Sequence, residues 1–256
     1  YGIDVDQFLA WPERRSSHLS DLGILRHLLA GNIIIEPFDI RNLTPNSYEV
    51  TLGGNYYRQH LKWSSSGNIG FEEPRRQAFA PDHRLAPEEP KIIFPTLNPF
   101  DPQNISIIWQ LNKAIKAKDF LGNHKISLEN IQPEDEIIML EPHEMILAHT
   151  QEFIGGRGVV TTMISGRSSV GRSMLEICND ADLGHIGFIN RWTLEIKNKS
   201  DGYAIPLVIG ERYAQISFSE TEPSAQSYQG QYQEGFNLEE IVKSWQPELM
   251  LPRMRR

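Results

Sequence analysis

From residue 136 onward the chain is a succession of short apolar runs separated by turn residues, and this pattern leaves few folds open. The run at 137–140 stops at Glu141-Pro142-His143-Glu144, and further runs follow at 145–150, 159–164, 192–198, 205–209 and 214–218. Each has the length of a strand and is too short for a core helix. Many short strands with frequent turns predict a mainly β, sandwich- or barrel-like fold. In the run at 192–198, alternation puts Thr193, Glu195 and Lys197 on one face and Leu194 and Ile196 on the other.

Ahead of this region, 19–31 has a helical face at Leu22, Leu25, Leu28 and Leu29, with Ser20 or Asp21 as N-cap and Gly31 as stop. Ile33-Ile34-Ile35 reads as a strand closed by Pro37, and 46–53 as a strand ending in the Gly53-Gly54 turn. Residues 59–134 carry Ser64-Ser65-Ser66-Gly67 and many prolines, and read as a long insertion with a helix at 111–119. A structureless loop of that length is uncommon in a compact domain, so the insertion is expected to have local structure of its own. The tail, 221–256, is polar, with a helix at 238–245 and a basic end. The organisation expected is one domain over 1–256.

The 256 residues carry 25 basic and 33 acidic side chains, a net charge of −8. That balance disfavours wrapping duplex nucleic acid, which needs a basic face. It leaves room for a small anion held by local arginines. Cys178 is the single cysteine, so an internal disulfide and a cysteine-based zinc site are both excluded. The eight histidines fall in no paired-ligand spacing, and the zinc deaminase signature, the Gly-x-Ser-x-Gly elbow and the Walker loop are absent. No apolar run approaches the roughly 18–20 residues of a membrane helix, and 1–11 has no signal-peptide pattern. The expectation is a cytoplasmic protein.

Two segments could carry chemistry. Ser165-Gly166-Arg167-Ser168-Ser169-Val170-Gly171-Arg172 concentrates arginine forks, hydroxyls and glycines, a set suited to phosphate. It equally fits a polar turn entering a helix with solvated arginines. Glu195, a carboxylate within a strand, is either a solvated surface group or a base.

Taken together, the segments resemble the dCTP deaminase family within the dUTPase-like superfamily. Ile33-Ile34-Ile35-Glu36-Pro37-Phe38 and Asn46-Ser47-Tyr48-Glu49-Val50-Thr51-Leu52-Gly53 are similar to its first two motifs. Leu140-Glu141-Pro142-His143-Glu144-Met145-Ile146-Leu147-Ala148-His149-Thr150-Gln151-Glu152 resembles the third. The run from Gly166 to Arg172 resembles its Gly-Arg-Ser-Ser-x-x-Arg signature, and Thr193-Leu194-Glu195-Ile196-Lys197-Asn198 its Thr-Leu-Glu-x-x-Asn. Gly210-Glu211-Arg212-Tyr213-Ala214-Gln215-Ile216-Ser217-Phe218 and Tyr228-Gln229-Gly230-Gln231-Tyr232-Gln233 are similar to the last two. The resemblance covers 20–58 and 136–235, with the motifs in the family's order.

The resemblance implies a distorted β-barrel or jelly roll with a few short helices, assembled as a homotrimer with sites between subunits. It implies hydrolysis of dCTP to dUTP and ammonia without zinc, magnesium riding on the triphosphate and dTTP as a possible inhibitor. Glu195 is then the base, and an interior strand position would raise its pKa toward neutrality. Ser168 and Arg172 would orient the water and steady the developing charge, and Arg167 and Ser169 would take phosphate oxygens. Backbone near Asn179 and Ala181 would read the pyrimidine. Thr193, Leu194, His185, Tyr228 and Gln231 complete the implied substrate contacts.

The chain departs from the family pattern at four points. His185 stands where an aspartate usually meets the 3′-hydroxyl, Gln231 replaces a tail lysine, Gly235 a later glutamine, and Asn190 a common glycine. In bifunctional relatives that aspartate also serves diphosphate hydrolysis, and histidine is a poor carboxylate base; Asp182 is a nearby substitute. A dUTPase or bifunctional enzyme, a nucleotide-binding relative without turnover, and a deaminase of a modified cytosine nucleotide therefore stay open.

Overall fold

A computed structural model describes residues 17–59, 97–121, 129–178, 181–224, 226–233, 235 and 237–254. Contacts group the chain into two compact units, one of 1–58 and 111–251, the other of 59–110 and 252–256.

In the first unit, α1 (Asp21–Leu29) is capped by Ser20, whose side chain accepts from the Gly23 N–H, and ends ahead of Gly31 at φ +73°. Strands β1 (Ile33–Glu36), β2 (Leu43–Thr44), β3 (Ser47–Thr51) and β4 (Asn55–Gln59) follow. In the second unit, Asp101 caps α2 (Pro102–Ile108), where proline occupies the first turn and loses no hydrogen bond. The helix expected at 111–119 is not formed. That stretch holds the end of β5 (Trp109–Lys113), then β6 (Ile115–Lys116) and the start of α3 (Ala117–Leu121). Its apolar residues, Leu111, Ala114, Ile115 and Ala117, are too few to sustain one helical face.

The β region then holds a strand at each expected run, several of them longer, and adds two short strands, β10 and β11, that the apolar pattern did not show. It comprises β7 (Glu136–Leu140), β8 (Met145–Gly156), β9 (Val160–Gly166), the one-turn α4 (Ser168–Arg172), β10 (Leu175–Ile177), β11 (Leu183–Gly184) and β12 (Ile189–Asn198). After these come β13 (Ile205–Val208), β14 (Arg212–Glu220) and α5 (Leu238–Ser244). Among the described residues, β8 pairs antiparallel with β1, β4 and β12, β9 with β11 and β14, β3 with β2 and β14, β7 with β6 and β13, and β12 with β10. One sheet runs β10-β12-β8-β4, with β1 on the far end of β8; a second runs β11-β9-β14-β3-β2; a third runs β13-β7-β6.

One apolar cluster draws on all three sheets, including Ile146, Ile154, Leu194 and Ile196 from the first, Tyr48, Val50, Ile164 and Phe218 from the second, and Ile138 and Leu207 from the third. The β8–β12 ladder is interrupted once, on the β8 side, while β12 keeps its alternation of buried and half-buried residues through the break. Arg191 pairs with Phe153 and Thr193 with His149, so Trp192 alone faces residues 150–152. The Thr150 hydroxyl accepts the Trp192 backbone N–H at 2.9 Å and donates to the Glu152 carbonyl at 2.7 Å, so the irregularity leaves neither group orphaned.

Candidate active site

Glu195 sits mid-strand on β12, with Leu147 of β8 opposite on one side and the end of β10 on the other. Leu194 and Ile196 are fully buried, and Thr193 and Glu195 share the opposite, half-buried face. The alternation read from the sequence is therefore the alternation of the fold. Because β12 has a strand on each side, the backbone under Glu195 is fixed from both edges. Leu194 points into the core, so only its backbone is available to a ligand.

The arginine–serine turn is the helix α4. Val170 is its one buried side chain; Ser168, Ser169, Gly171 and Arg172 are exposed, and the space where a Gly171 β-carbon would stand is open. Two residues later the chain enters β10, which pairs Ile177 with Ile196. The topology thus sets Ser168, Ser169 and Arg172 on the segment that leads straight into the neighbour of the Glu195 strand. Arg167 is engaged elsewhere: its Nε meets Glu49 Oε1 at 2.6 Å, and its Nη1 donates to the Arg212 carbonyl at 2.8 Å.

After β10 the chain crosses from the first sheet to the second. Cys178 donates its backbone N–H to the Glu195 carbonyl at 3.2 Å, and the Asp182 carbonyl accepts from Ile164 N–H at 2.9 Å. Ala181, on this crossing, is exposed. Asn179 lies outside the described residues. Gly184 packs so closely that a β-carbon would stand 2.1 Å from Thr162 Oγ1 and 2.5 Å from the Trp192 ring, so only glycine brings the following turn flush onto β12.

That turn presents His185, whose ring lies parallel to Tyr228 at 6.1 Å and 15°. Both border a cleft of about 400 Å³ whose wall includes Thr161, Ile186, Thr221 and Ser227. The structure therefore forms two groups of the expected residues. His185 and Tyr228 are one, and Glu195 and Thr193, which share one face of β12, are the other; Ser168, Ser169 and Arg172 stand on α4, ahead of β10. Gln231 is half-buried in the tail turn that follows Tyr228. Among the described residues, no group of three or more His, Cys, Asp and Glu side chains is arranged to hold a metal ion, and no helix is long and apolar enough to cross a membrane.

Three features escaped the sequence reading. Glu49 bridges Arg167 and Arg212. Arg191 lies between the Phe153 and Trp245 rings, 4.8 and 4.6 Å from their centroids. Asn190 reaches the tail, and its one outward signal was the glycine usual at that position.

An antiparallel β fold with Glu195 on an inner strand, and an exposed arginine–serine helix leading into the neighbouring strand, belongs to the class of folds that can present an acid and anion-binding donors to a small molecule. The comparisons narrow that class. The dCTP deaminase-like family model matches residues 109–221. A Persephonella marina protein named "dCTP deaminase, dUMP-forming" is 35% identical over 216 residues, covering 84% of this chain and 91% of that protein. A Clostridium beijerinckii protein of the same name is 31% identical over 178 residues, covering 70% and 69%. Among solved structures, the 2′-deoxycytidine 5′-triphosphate deaminase of Agrobacterium tumefaciens aligns over 81% of this chain with a TM-score of 0.46 and 16% identity; this chain spans about half of it, 49%. The chain belongs to the dCTP deaminase family.

Proposed function

We propose that the protein hydrolyses the cytosine amino group of dCTP, giving dUTP and ammonia, with Glu195 as the proton-transferring group. The observation that carries this reading is the position of Glu195 on an inner strand whose neighbour, β10, is the strand that the segment of Ser168 and Arg172 leads into. A water placed between them loses a proton to the Glu195 carboxylate as its oxygen bonds to C4. Glu195 passes that proton to N3, so the ring accepts the electron pair without building a full negative charge. In the second half the water-derived hydroxyl loses its proton, the amino nitrogen gains one, the C4–N bond breaks and the new carbonyl forms. Arg172 and Ser168 steady the oxygen through this sequence.

The single cysteine supports a route without the zinc cluster of other deaminases. Magnesium enters with the substrate triphosphate. In the same reading the protein is a cytoplasmic homotrimer with sites between subunits, inhibited by dTTP. The exposed apolar pair Leu183 and Met163, register partners on β11 and β9, supports a subunit contact.

A second reading is release of diphosphate to leave dUMP. The names of the Persephonella and Clostridium proteins favour it, and His185 at the family's aspartate position speaks against it. Incubation with dCTP and magnesium, resolved by chromatography, separates the two: dUTP supports the first reading, and dUMP with diphosphate the second. Glu195→Gln should lower ammonia release by about 10²–10⁴-fold with the assembly intact. Undiminished release would remove Glu195 from its role.

A further inference from the structure

The tail is anchored at two places to the turn it covers. Asn190 is 2% exposed. Its Oδ1 accepts the Arg191 N–H at 2.8 Å, and its Nδ2 donates to the Tyr232 carbonyl at 2.7 Å. Gln233 reaches back from the tail: its Oε1 accepts the Ile189 N–H at 2.7 Å, and its Nε2 donates to the Gly187 carbonyl at 3.2 Å. Between these points and the bond from Tyr228 N–H to the Ile186 carbonyl, 2.8 Å, residues 228–233 are fastened to 186–190. Gly187, at φ +91°, leaves room for the Ser227 hydroxyl, which lies 1.9 Å from where a β-carbon would stand.

We propose that Asn190 and Gln233 are positioning residues that keep the tail closed on its own turn, so that the Tyr228 ring stands opposite His185 before a nucleotide arrives. The inference rests on the reading that this cleft takes part of a deoxycytidine nucleotide. Residues 226–233 are polar and form no helix or strand of their own, so little beyond these bonds repays the entropy of ordering them. The ring contacts depend on the same closure. Tyr228 meets Phe188 edge-on at 5.1 Å, and Phe188 meets Trp192 edge-on at 5.4 Å, so a docked tail continues the core outward to the cleft. A pre-ordered tail spares the nucleotide that ordering cost, which appears as tighter binding with the chemical step unaltered.

The test compares the full-length protein with Asn190→Gly and Gln233→Ala by hydrogen exchange, dCTP calorimetry and steady-state kinetics. The second variant lies on the tail and cannot unfold the core. The Tyr228 amide should exchange about tenfold faster in both, with the Leu194 and Ile196 amides unchanged; Kd and KM for dCTP should rise about five- to tenfold, with kcat within about twofold. Unchanged Tyr228 exchange, or faster exchange with unchanged Kd, overturns the inference and leaves the deaminase reading standing. Wild-type protein that binds dCTP without turnover, with both variants loosening the tail and weakening binding, ends the deaminase reading and supports the inference. Wild-type protein that binds no dCTP overturns the inference, whatever the tail does.

Discussion

Cys178 is bound twice to the strand that carries Glu195: its N–H donates to the Glu195 carbonyl at 3.2 Å, and its thiol donates to the Thr193 carbonyl at 3.5 Å. It does so from the left-handed region, at φ +48°. Burial, with a contribution from the Glu195 charge, pushes the thiol up to about 12. At about pH 8 almost no thiolate exists, and the thiolate is the nucleophile. Iodoacetamide should therefore leave the native protein unlabelled and modify one site after denaturation, read by intact mass. Rapid native labelling would show a sulfur that is neither buried nor held.

The Glu49 carboxylate, largely buried, touches Arg167 Nε at 2.6 Å and Arg212 Nη1 at 2.9 Å. Glu49→Gln removes the charge between two guanidinium groups and leaves them facing each other; Arg167→Ala leaves Glu49 one cation. The expected order of destabilisation is Glu49→Gln at about 2 kcal/mol, then Arg167→Ala at about 1 kcal/mol. Urea midpoints measure both. Equal midpoints for Arg167→Ala and wild type would free Arg167 for a ligand role alone.

The β region was legible because apolar runs of strand length alternate with turn residues, and the face carrying Glu195 could be read from Thr193 to Lys197 because β12 buries alternate residues. What the motifs do was less legible, because a recurring polar residue has the same appearance whether it meets substrate or backbone. Thr150 stitches the Trp192 amide across an irregular ladder, and Glu152 accepts the Thr51 N–H at 3.0 Å and hydroxyl at 2.8 Å. Both belong to a motif that resembles the family's, and both serve the scaffold. Arg167 was hidden for the converse reason: its partners, Glu49 and the Arg212 carbonyl, are more than 40 residues away in either direction. The expected helix at 111–119 failed where a few apolar residues suited several periodicities.

His149 is 2% exposed, with its Nδ1 donating to the Thr150 carbonyl at 2.8 Å, and the Trp245 ring 4.7 Å away. Its Nε2 is buried without a partner among the described residues. Burial, with help from the Arg191 charge, lowers its pKa from 6.5 to about 4. The unfolded chain takes up the proton first, so this contribution to stability is intact above pH 6.5 and drains away between pH 6.5 and 4. The loss amounts to about 3 kcal/mol. Burial raises the Glu152 carboxyl, which works in the opposite sense, so the wild-type slope alone mixes the two. His149→Asn keeps a donor for Thr150 and removes the titration. The stability advantage of wild type over this variant should shrink as pH falls through that window, and a constant difference would contradict the assignment.

Asn198 closes the strand on which Glu195 lies, and its polar atoms are paired. Its Nδ2 donates to the Leu140 carbonyl at 3.1 Å and the Tyr203 carbonyl at 2.7 Å, while its Oδ1 accepts the Ser200 N–H at 2.9 Å. Asn198→Asp preserves the shape but sets an acceptor against two carbonyl oxygens in a site with no solvent access. The cost is about 3 kcal/mol near neutral pH, since both carbonyls lose a donor and a charge is buried. Protonation of the new carboxyl restores one donor, so its folded pKa is raised above the unfolded value and the deficit narrows as pH falls through that raised pKa. Urea unfolding of both proteins across the acid range reads this directly. A deficit that stayed flat with pH would mean that the end of β12 tolerates the carboxylate by opening to water.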